Sequence, residues 1–300
     1  VPTWFNVGGG ADTLVRPSSE EDLRDVLIAF AHERVRVLGE GANLLVHDGG
    51  ADGLVVCLDR MNGFETLDDG DAPASDTPLD WPGETVRLRA DAGMKLPRLI
   101  VQTVRDGLAG LEGLAGVPAT VGGAVRMNAG GAFGEIGDAV HEVRALTRMG
   151  AGMVIPANEL AFGYRTSGVE HAIVTSVTFR LVRVPEGDRP KLRDRLKEVM
   201  SYKKVSQPMS EKSAGCVFKN PLISGKRVSA GLLIDEARCK GLRVGGAAVS
   251  ARHANFIVTD PSATASHVIE LIDRVRESVK REWGVTLENE VVIWKRDVPA

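Results

Sequence analysis

Residues 107–134, GLAGLEGLAGVPATVGGAVRMNAGGAFG, constrain the fold more than any other stretch of the chain. Nine of these 28 positions are glycine, against 34 in all 300 residues. Small or apolar residues stand between the glycines, with one proline, Pro118, and few charges. A solvated linker would be rich in serine and charge instead. Backbone almost bare of side chains in apolar company has two uses. It packs tightly against other backbone, or it brings N–H groups close to a bulky ligand. Composition alone leaves both readings standing.

The rest of the composition narrows the class. With 43% hydrophobic and 26% charged residues, the chain reads as a globular protein of two or three domains. A net charge of -3 gives no electrostatic footprint for nucleic acid. Neither a long apolar run nor a basic-then-apolar leader is present, so no membrane partner is expected. Cys57, Cys216 and Cys239 are too widely spaced for a disulfide framework or a CxxC metal site, and the six histidines show no paired spacing. The expectation is a cytoplasmic protein without a metal.

Read in order, 12–16 is a short strand closed by Pro17, and Ser18 or Ser19 caps a helix. Glu20, Glu21 and Asp22 fill its first turn, and Leu23, Val26, Leu27 and Phe30 form its apolar stripe. Strands follow at 35–38, 44–47 and 53–58, with the glycine turn GEGAN at 39–43. Such a turn at a strand's carboxyl end commonly holds phosphate on its amides. GEGAN is not GxGxxG, and no P-loop occurs, which tells against a Rossmann or P-loop protein. The acidic, proline-containing segment 68–84 reads as an exposed loop. A strand at 86–90, a helix at 95–106 stopped by Gly107, and strands at 139–147 and 173–182 complete an α+β region. A charged helix at 190–202 connects it to a second α/β domain. There, helices at 229–239 and 262–283, a strand at 254–258, and a strand pair at 285–287 and 291–294 are expected. The long helix carries the stripe Val268, Leu271, Ile272, Val275, Val279 and Trp283.

Six segments then match one family in the right order: LGEGANLLV at 38–46, AGVPATVGGAVRMNAGG at 115–131, FGYRTS at 162–167, AGCVFKNP at 214–221, AGLLIDEARCKGLRVGGAAVS at 230–250 and LENEV at 287–291. Over nearly its whole length the chain resembles the UDP-N-acetylenolpyruvoylglucosamine reductases, flavin enzymes of peptidoglycan precursor synthesis and so of cell-wall biogenesis. The resemblance implies an α+β fold: a two-lobed FAD-binding region of the vanillyl-alcohol-oxidase type (lobes at 1–60 and 61–200), then a smaller α/β substrate-binding domain at 201–300. It implies non-covalent FAD, NADPH as hydride donor, and the enolpyruvyl ether of UDP-N-acetylglucosamine as substrate. The product is UDP-N-acetylmuramate. By the same resemblance FAD is held by Gly39, Glu40, Gly41, Ala42, Asn43 and Leu44. A second set comprises Gly113, Val117, Pro118, Ala119, Thr120, Gly122, Gly123, Ala124 and Asn128.

Reduction of an enolpyruvate adds hydride, from reduced flavin, to the methylene carbon and a proton to its neighbour. The enolate-like intermediate needs cationic stabilisation and a positioned acid. Arg165 of FGYRTS matches the family's arginine, whose guanidinium can grip a carboxylate bidentately. Glu290 of LENEV matches the family's carboxylate. Glu288, two residues earlier, would point the same way on a strand, and only motif position favours Glu290. Cys216 stands where many relatives carry serine as proton donor. A thiol donates a proton at least as readily and is open to oxidation. Tyr164, Lys219 and Asn220 match residues that grip the diphosphate and sugar. His253 reads either as a substrate contact or as a structural histidine, and Arg126 as an approach to flavin or NADPH phosphate. With only Tyr164 and Tyr202 present, the chain resembles the form without a tyrosine-bearing covering loop; the segment 203–212 is a candidate cover. Two alternatives are an FAD-dependent oxidase on the same scaffold and a catalytically silent nucleotide-binding sensor.

Overall fold

The computed structural model describes residues 1–67 and 81–296, so the loop expected at 68–84 lies largely outside the described residues. Two compact units emerge, and neither is one continuous stretch. One comprises Leu14–Glu40 with Leu54–Tyr202, and the other gathers Val1–Thr13, Gly41–Gly53 and Lys203 onward.

The first unit is built on an antiparallel sheet. Its strands lie in the order Gly152–Pro156, Val140–Thr147, Ala172–Arg183, Glu84–Asp91, Phe64–Leu67, and the short Leu108–Ala109 joins the end of Ala172–Arg183. The central strand, AIVTSVTFRLVR, is buried except at Ala172, Arg180 and Arg183, as a strand covered on both faces must be. Glu84–Asp91 alternates, burying Val86, Leu88 and Ala90. The helix Leu96–Arg105 brings Leu99, Ile100 and Val104 into the same core as Val177, Phe179 and Leu181 or its margin. Truncating one such leucine to alanine costs about 2–5 kcal/mol. Gly107, at φ 75°, stops the helix as its sequence position predicts. The helix Glu20–Ala29 starts at Ser19, whose side chain accepts from the Asp22 amide, and inserts Leu23 and Leu27. Val35–Leu38 then runs parallel to the segment from Leu54 to Cys57.

The second unit packs the helices Ala230–Glu236 and Ala265–Trp283 with a small antiparallel sheet, Arg243–Val244, Ala247–Val249 and Ile257–Thr259. Val268, Leu271, Ile272, Val275 and Val279 are buried as expected, but Trp283 is 45% exposed. The stripe runs out one turn before the helix does, at the αL cap Gly284. At the other end, Thr264 and His267 cap each other's amides, and the Asp48 carboxylate accepts from Ala265 N at 2.8 Å and Ser266 N at 2.9 Å. Those carboxylate bonds complement the helix dipole and bind the segment Gly41–Gly53 to this unit.

Two expectations need correction here. The strand placed at 254–258 begins only at Ile257, because Asn255 is diverted into a turn: Phe256 N donates to His253 O at 2.9 Å. The pair expected between 285–287 and 291–294 does not form. Val292–Trp294 instead runs parallel to Leu44–Val46, in the register Val292↔Leu44, Ile293↔Leu45, Trp294↔Val46. Buried Leu287 packs as core without strand pairing of its segment.

Candidate functional site

The turn after Val35–Leu38 is shaped for an anion. The amides of Glu40, Gly41, Ala42 and Asn43 donate to no backbone carbonyl among the described residues. Gly41 takes φ 65°, and a Cβ there would stand 2.5 Å from Pro2 O, so only glycine fits. Glu40 pairs with Lys95 at 3.2 Å, and Leu44 is buried at the start of its strand.

The glycine-rich stretch divides its labour. At Gly113 a Cβ would lie 2.3 Å from Phe133 O, and at Gly122 it would lie 2.8 Å from the Ala92 Cβ. These glycines serve close packing. Gly123 differs: its Cβ direction meets only Thr120 Oγ1, at 3.2 Å. Thr120 caps the short helix Val121–Arg126, accepting from Gly123 N, while Ala119 O receives Leu96 N at 2.9 Å. Val117, Pro118 and Ala119 are half-buried beside these caps, and Ala124 is buried. The stretch also holds a buried carboxylate that the sequence reading passed over. Glu112 accepts from Trp81 Nε1 and from Gly110 N, each at 2.7 Å.

Asn128, placed among the cofactor residues, spends its side chain on protein. It is buried at φ 41°, its Nδ2 donates to Glu135 and to Gly163 O at 3.1 Å, and its Oδ1 accepts from Gly137 N. Through Gly163 it supports FGYRTS. Gly163 and Thr166 exchange backbone hydrogen bonds of 3.0 and 3.2 Å, leaving Tyr164 and Arg165 at the tip of a two-residue turn. Arg165 takes φ 64°, a left-handed conformation that costs a residue with a Cβ about 1–2 kcal/mol. Its guanidinium lies over the Tyr164 ring, 5.1 Å from the centroid. Both tip residues are half-buried, and backbone strain at such a tip is a feature of sites where a side chain must be aimed. Arg126 is exposed and donates to Val169 O at 3.4 Å.

In the second unit Cys216 and Glu290 are brought close through one residue. Val217 O accepts from Glu290 N at 2.8 Å and from Val291 N at 3.2 Å, while Cys216 forms a β-bridge with Phe256. Both side chains are half-buried. Glu288, the alternative carboxylate, has a side chain 78% exposed and pairs with Lys219 Nζ at 3.6 Å. Gly215, before Cys216, takes φ 73° with only Ala42 O, at 3.9 Å, in its Cβ direction. Asn220 Oδ1 accepts from Ala230 N at 2.9 Å and starts the helix Ala230–Glu236. His253 Nδ1 accepts from Asn255 N at 3.2 Å, its ring meets Phe256 edge-on at 4.7 Å, and burial pushes its pKa below the ordinary 6.5.

The amide donors of the 39–43 turn fit a phosphate group. The family described as FAD binding domain matches residues 11–155, and the C-terminal domain of UDP-N-acetylenolpyruvoylglucosamine reductase matches residues 207–294. An FAD-binding region joined to that second domain defines a flavin-dependent oxidoreductase. The chain is 41% identical over 295 residues to the UDP-N-acetylenolpyruvoylglucosamine reductase of Moorella thermoacetica, covering 97% of this chain and 90% of the relative. It is 34% identical to that of Clostridium beijerinckii over 98% of this chain and 90% of the relative. Its fold matches the crystal structure of the same enzyme from Thermus caldophilus with TM-score 0.77 at 40% identity, over 98% and 96% of the two chains. The chain belongs to the UDP-N-acetylenolpyruvoylglucosamine reductase family. Its fold is of the expected class, α+β with an FAD-binding region.

Proposed function

We propose that this protein reduces the enolpyruvyl ether of UDP-N-acetylglucosamine to UDP-N-acetylmuramate, using FAD and NADPH, in peptidoglycan precursor synthesis. Family membership over almost the whole chain carries the reading. FAD, when bound, would supply the hydride-transfer chemistry that links NADPH to the methylene carbon of the substrate. Everything else falls to side chains of this chain. Arg165, aimed by its turn, holds the substrate carboxylate and stabilises the negative charge that develops as the enolate forms. Cys216 Sγ donates the proton to the carbon bearing the carboxylate. Glu290, fixed to Val217, hydrogen-bonds the substrate carboxyl. Tyr164 and Lys219 grip the sugar and diphosphate, with Asn220 ordering the adjoining helix start. The turn 39–44 and residues 113–124 cradle FAD.

A nucleotide-sugar substrate and NADPH suit a cytoplasmic reaction, and among the described residues no helix is long and apolar enough to cross a membrane. The test is anaerobic. NADPH should bleach the bound flavin, and UDP-N-acetylenolpyruvoylglucosamine should then restore the yellow colour. A flavin that bleaches but is not recoloured by this substrate would refute the reading.

A further inference from the structure

A buried amide side chain controls the segment that carries Cys216. Asn255 is 3% exposed. Its Oδ1 accepts from Phe218 N at 2.9 Å, its Nδ2 donates to Phe218 O at 2.8 Å, and its own carbonyl accepts from Val217 N at 2.9 Å. Asparagine here does what a neighbouring strand would do. It satisfies both backbone groups of one residue where regular pairing has stopped, since Ile257–Thr259 begins only two residues later. The far side of the same segment is held by residues 287–291: Phe218 bridges Asn289, Lys219 N donates to Glu288 O at 2.9 Å, and Val217 O takes the Glu290 amide. Asn289 is in turn held by Arg276 Nη2 at 2.7 Å. The backbone two residues past the thiol is therefore clamped from both sides.

We propose that Asn255 is a positioning residue for protonation. By fixing the backbone of Val217 and Phe218 it sets where the Cys216 thiol stands relative to Glu290. The inference rests on the functional reading above, in which Cys216 is the acid. Asn255 touches neither substrate nor flavin in this account; it acts through the strand. Both its hydrogen-bonding groups are buried, so removing them leaves Phe218 N–H and C=O without partners, and the segment must shift to find water or new ones. A displacement of about 1 Å at a reacting group is enough to slow a step about 100-fold.

The experiment separates the two half-reactions in the flavin-loaded protein. Asn255→Leu, similar in volume, removes both bonds, whereas Asn255→Asp keeps an acceptor for Phe218 N and loses the donor. Flavin content and the rate of bleaching by NADPH should match the unaltered protein in both variants. Recolouring by the enolpyruvyl substrate should slow about 100-fold in the leucine variant and about tenfold in the aspartate variant, the latter being the loss of one hydrogen bond. Steady-state KM should change little while kcat falls. Should the leucine variant fail to fold, the aspartate variant decides. Flavin-loaded variants recoloured at the unaltered rate, or with both half-reactions slowed equally, would overturn the proposal. If the unaltered protein is itself not recoloured, the functional reading fails and takes this inference with it.

Discussion

Asn43 Nδ2 donates to the backbone carbonyl of Glu290 at 3.0 Å, joining residues 247 apart in the chain. The Asn43 carbonyl receives Val292 N, also at 3.0 Å. The turn assigned to the cofactor and the carboxylate assigned to chemistry thus share one hydrogen-bonded frame, whose other edge, at Val217, adjoins Cys216. Local changes in that frame should appear as changes in one half-reaction rather than in the whole.

Cys216 gives the most direct case. Cys216→Ala should leave NADPH-driven bleaching intact and stop substrate-driven recolouring, because only the second step needs the proton. Cys216→Ser should keep substantial turnover and gain resistance to peroxide, a hydroxyl having no oxidation ladder to climb. Stopped-flow absorbance of the flavin measures both steps. Equal loss of the two half-reactions in the alanine variant would remove Cys216 from the proton-donor role.

The neighbours Gly122 and Gly123 should separate packing from cradle. A Cβ on Gly122 strikes Ala92 at 2.8 Å, so Gly122→Ala should lower the melting temperature of the protein whether or not FAD is present. A Cβ on Gly123 meets only Thr120 Oγ1, at a tight 3.2 Å that a small shift of the hydroxyl relieves, so Gly123→Ala should lose less stability than Gly122→Ala and lose FAD affinity instead. Thermal melts and flavin titration of the apoprotein make the comparison. A Gly123 variant with normal affinity would move the pyrophosphate elsewhere.

The cap at Asp48 predicts a pH-dependent contribution to stability. Burial raises its pKa, but the Ser266 hydroxyl at 2.6 Å and the Ser266 and Ala265 amides outweigh it and hold the carboxyl below its ordinary 3.8. A depressed carboxylate stabilises the fold above its unfolded pKa and ceases to do so as pH falls through the folded value. Asp48→Ala should cost about 1 kcal/mol near neutrality. The difference between variant and parent should close in acid below pH 4 or so. Urea melts across that range test it; a gap that persists in acid would mean packing, not charge, supplies the cap.

Lys203 works in the opposite sense. Burial pushes its ammonium down to about 8 from an ordinary 10.5. A base with a lowered folded pKa penalises the fold while it is protonated, so the penalty is full below that value and fades as pH rises toward 10.5. Lys203→Met should therefore raise the melting temperature most at neutral pH and least in alkali. A constant gain across that range would trace to the methionine side chain rather than to the charge.

How much of this was legible follows from where the information sits. The helix Ala265–Trp283 announced itself, because Val268 to Val279 repeat at helical spacing and Gly284 ends it. The central strand was equally plain in VTSVTFRLV, and six ordered motifs carried the family. Pairing partners were not visible. Nothing local to Val292 says that its neighbour is Leu44, so the nearer segment 285–287 looked the natural partner. Trp283 continued the stripe in sequence but lay beyond the packed surface. Asn128 shared the glycine motif and so read as a flavin contact, and nothing in that motif signals that its amide also supports the turn that carries Arg165. Asn255 did leave a trace: a lone amide inside the apolar run ANFIV has to be satisfied if buried. Its acceptor and donor, both on Phe218, are set only by the tertiary fold.

The parallel pairing of Leu44–Val46 with Val292–Trp294 has a consequence for how the protein comes into being. A ribosome delivers the first of these strands about 250 residues before the second, Val292 less Leu44 being 248. The unit that holds Cys216 and Glu290 therefore cannot close until Val292–Trp294 has emerged. Its early strand must wait, unpaired, while more than two hundred residues emerge, among them the whole stretch Leu54–Tyr202 of the other unit. Long-range closure of this kind is slow, and an unpaired apolar strand such as Leu44–Val46 is open to wrong partners meanwhile. Premature termination before Val292 should yield chains that complete their large sheet yet hold the Cys216 segment loosely, and such chains are natural clients for chaperones and proteases.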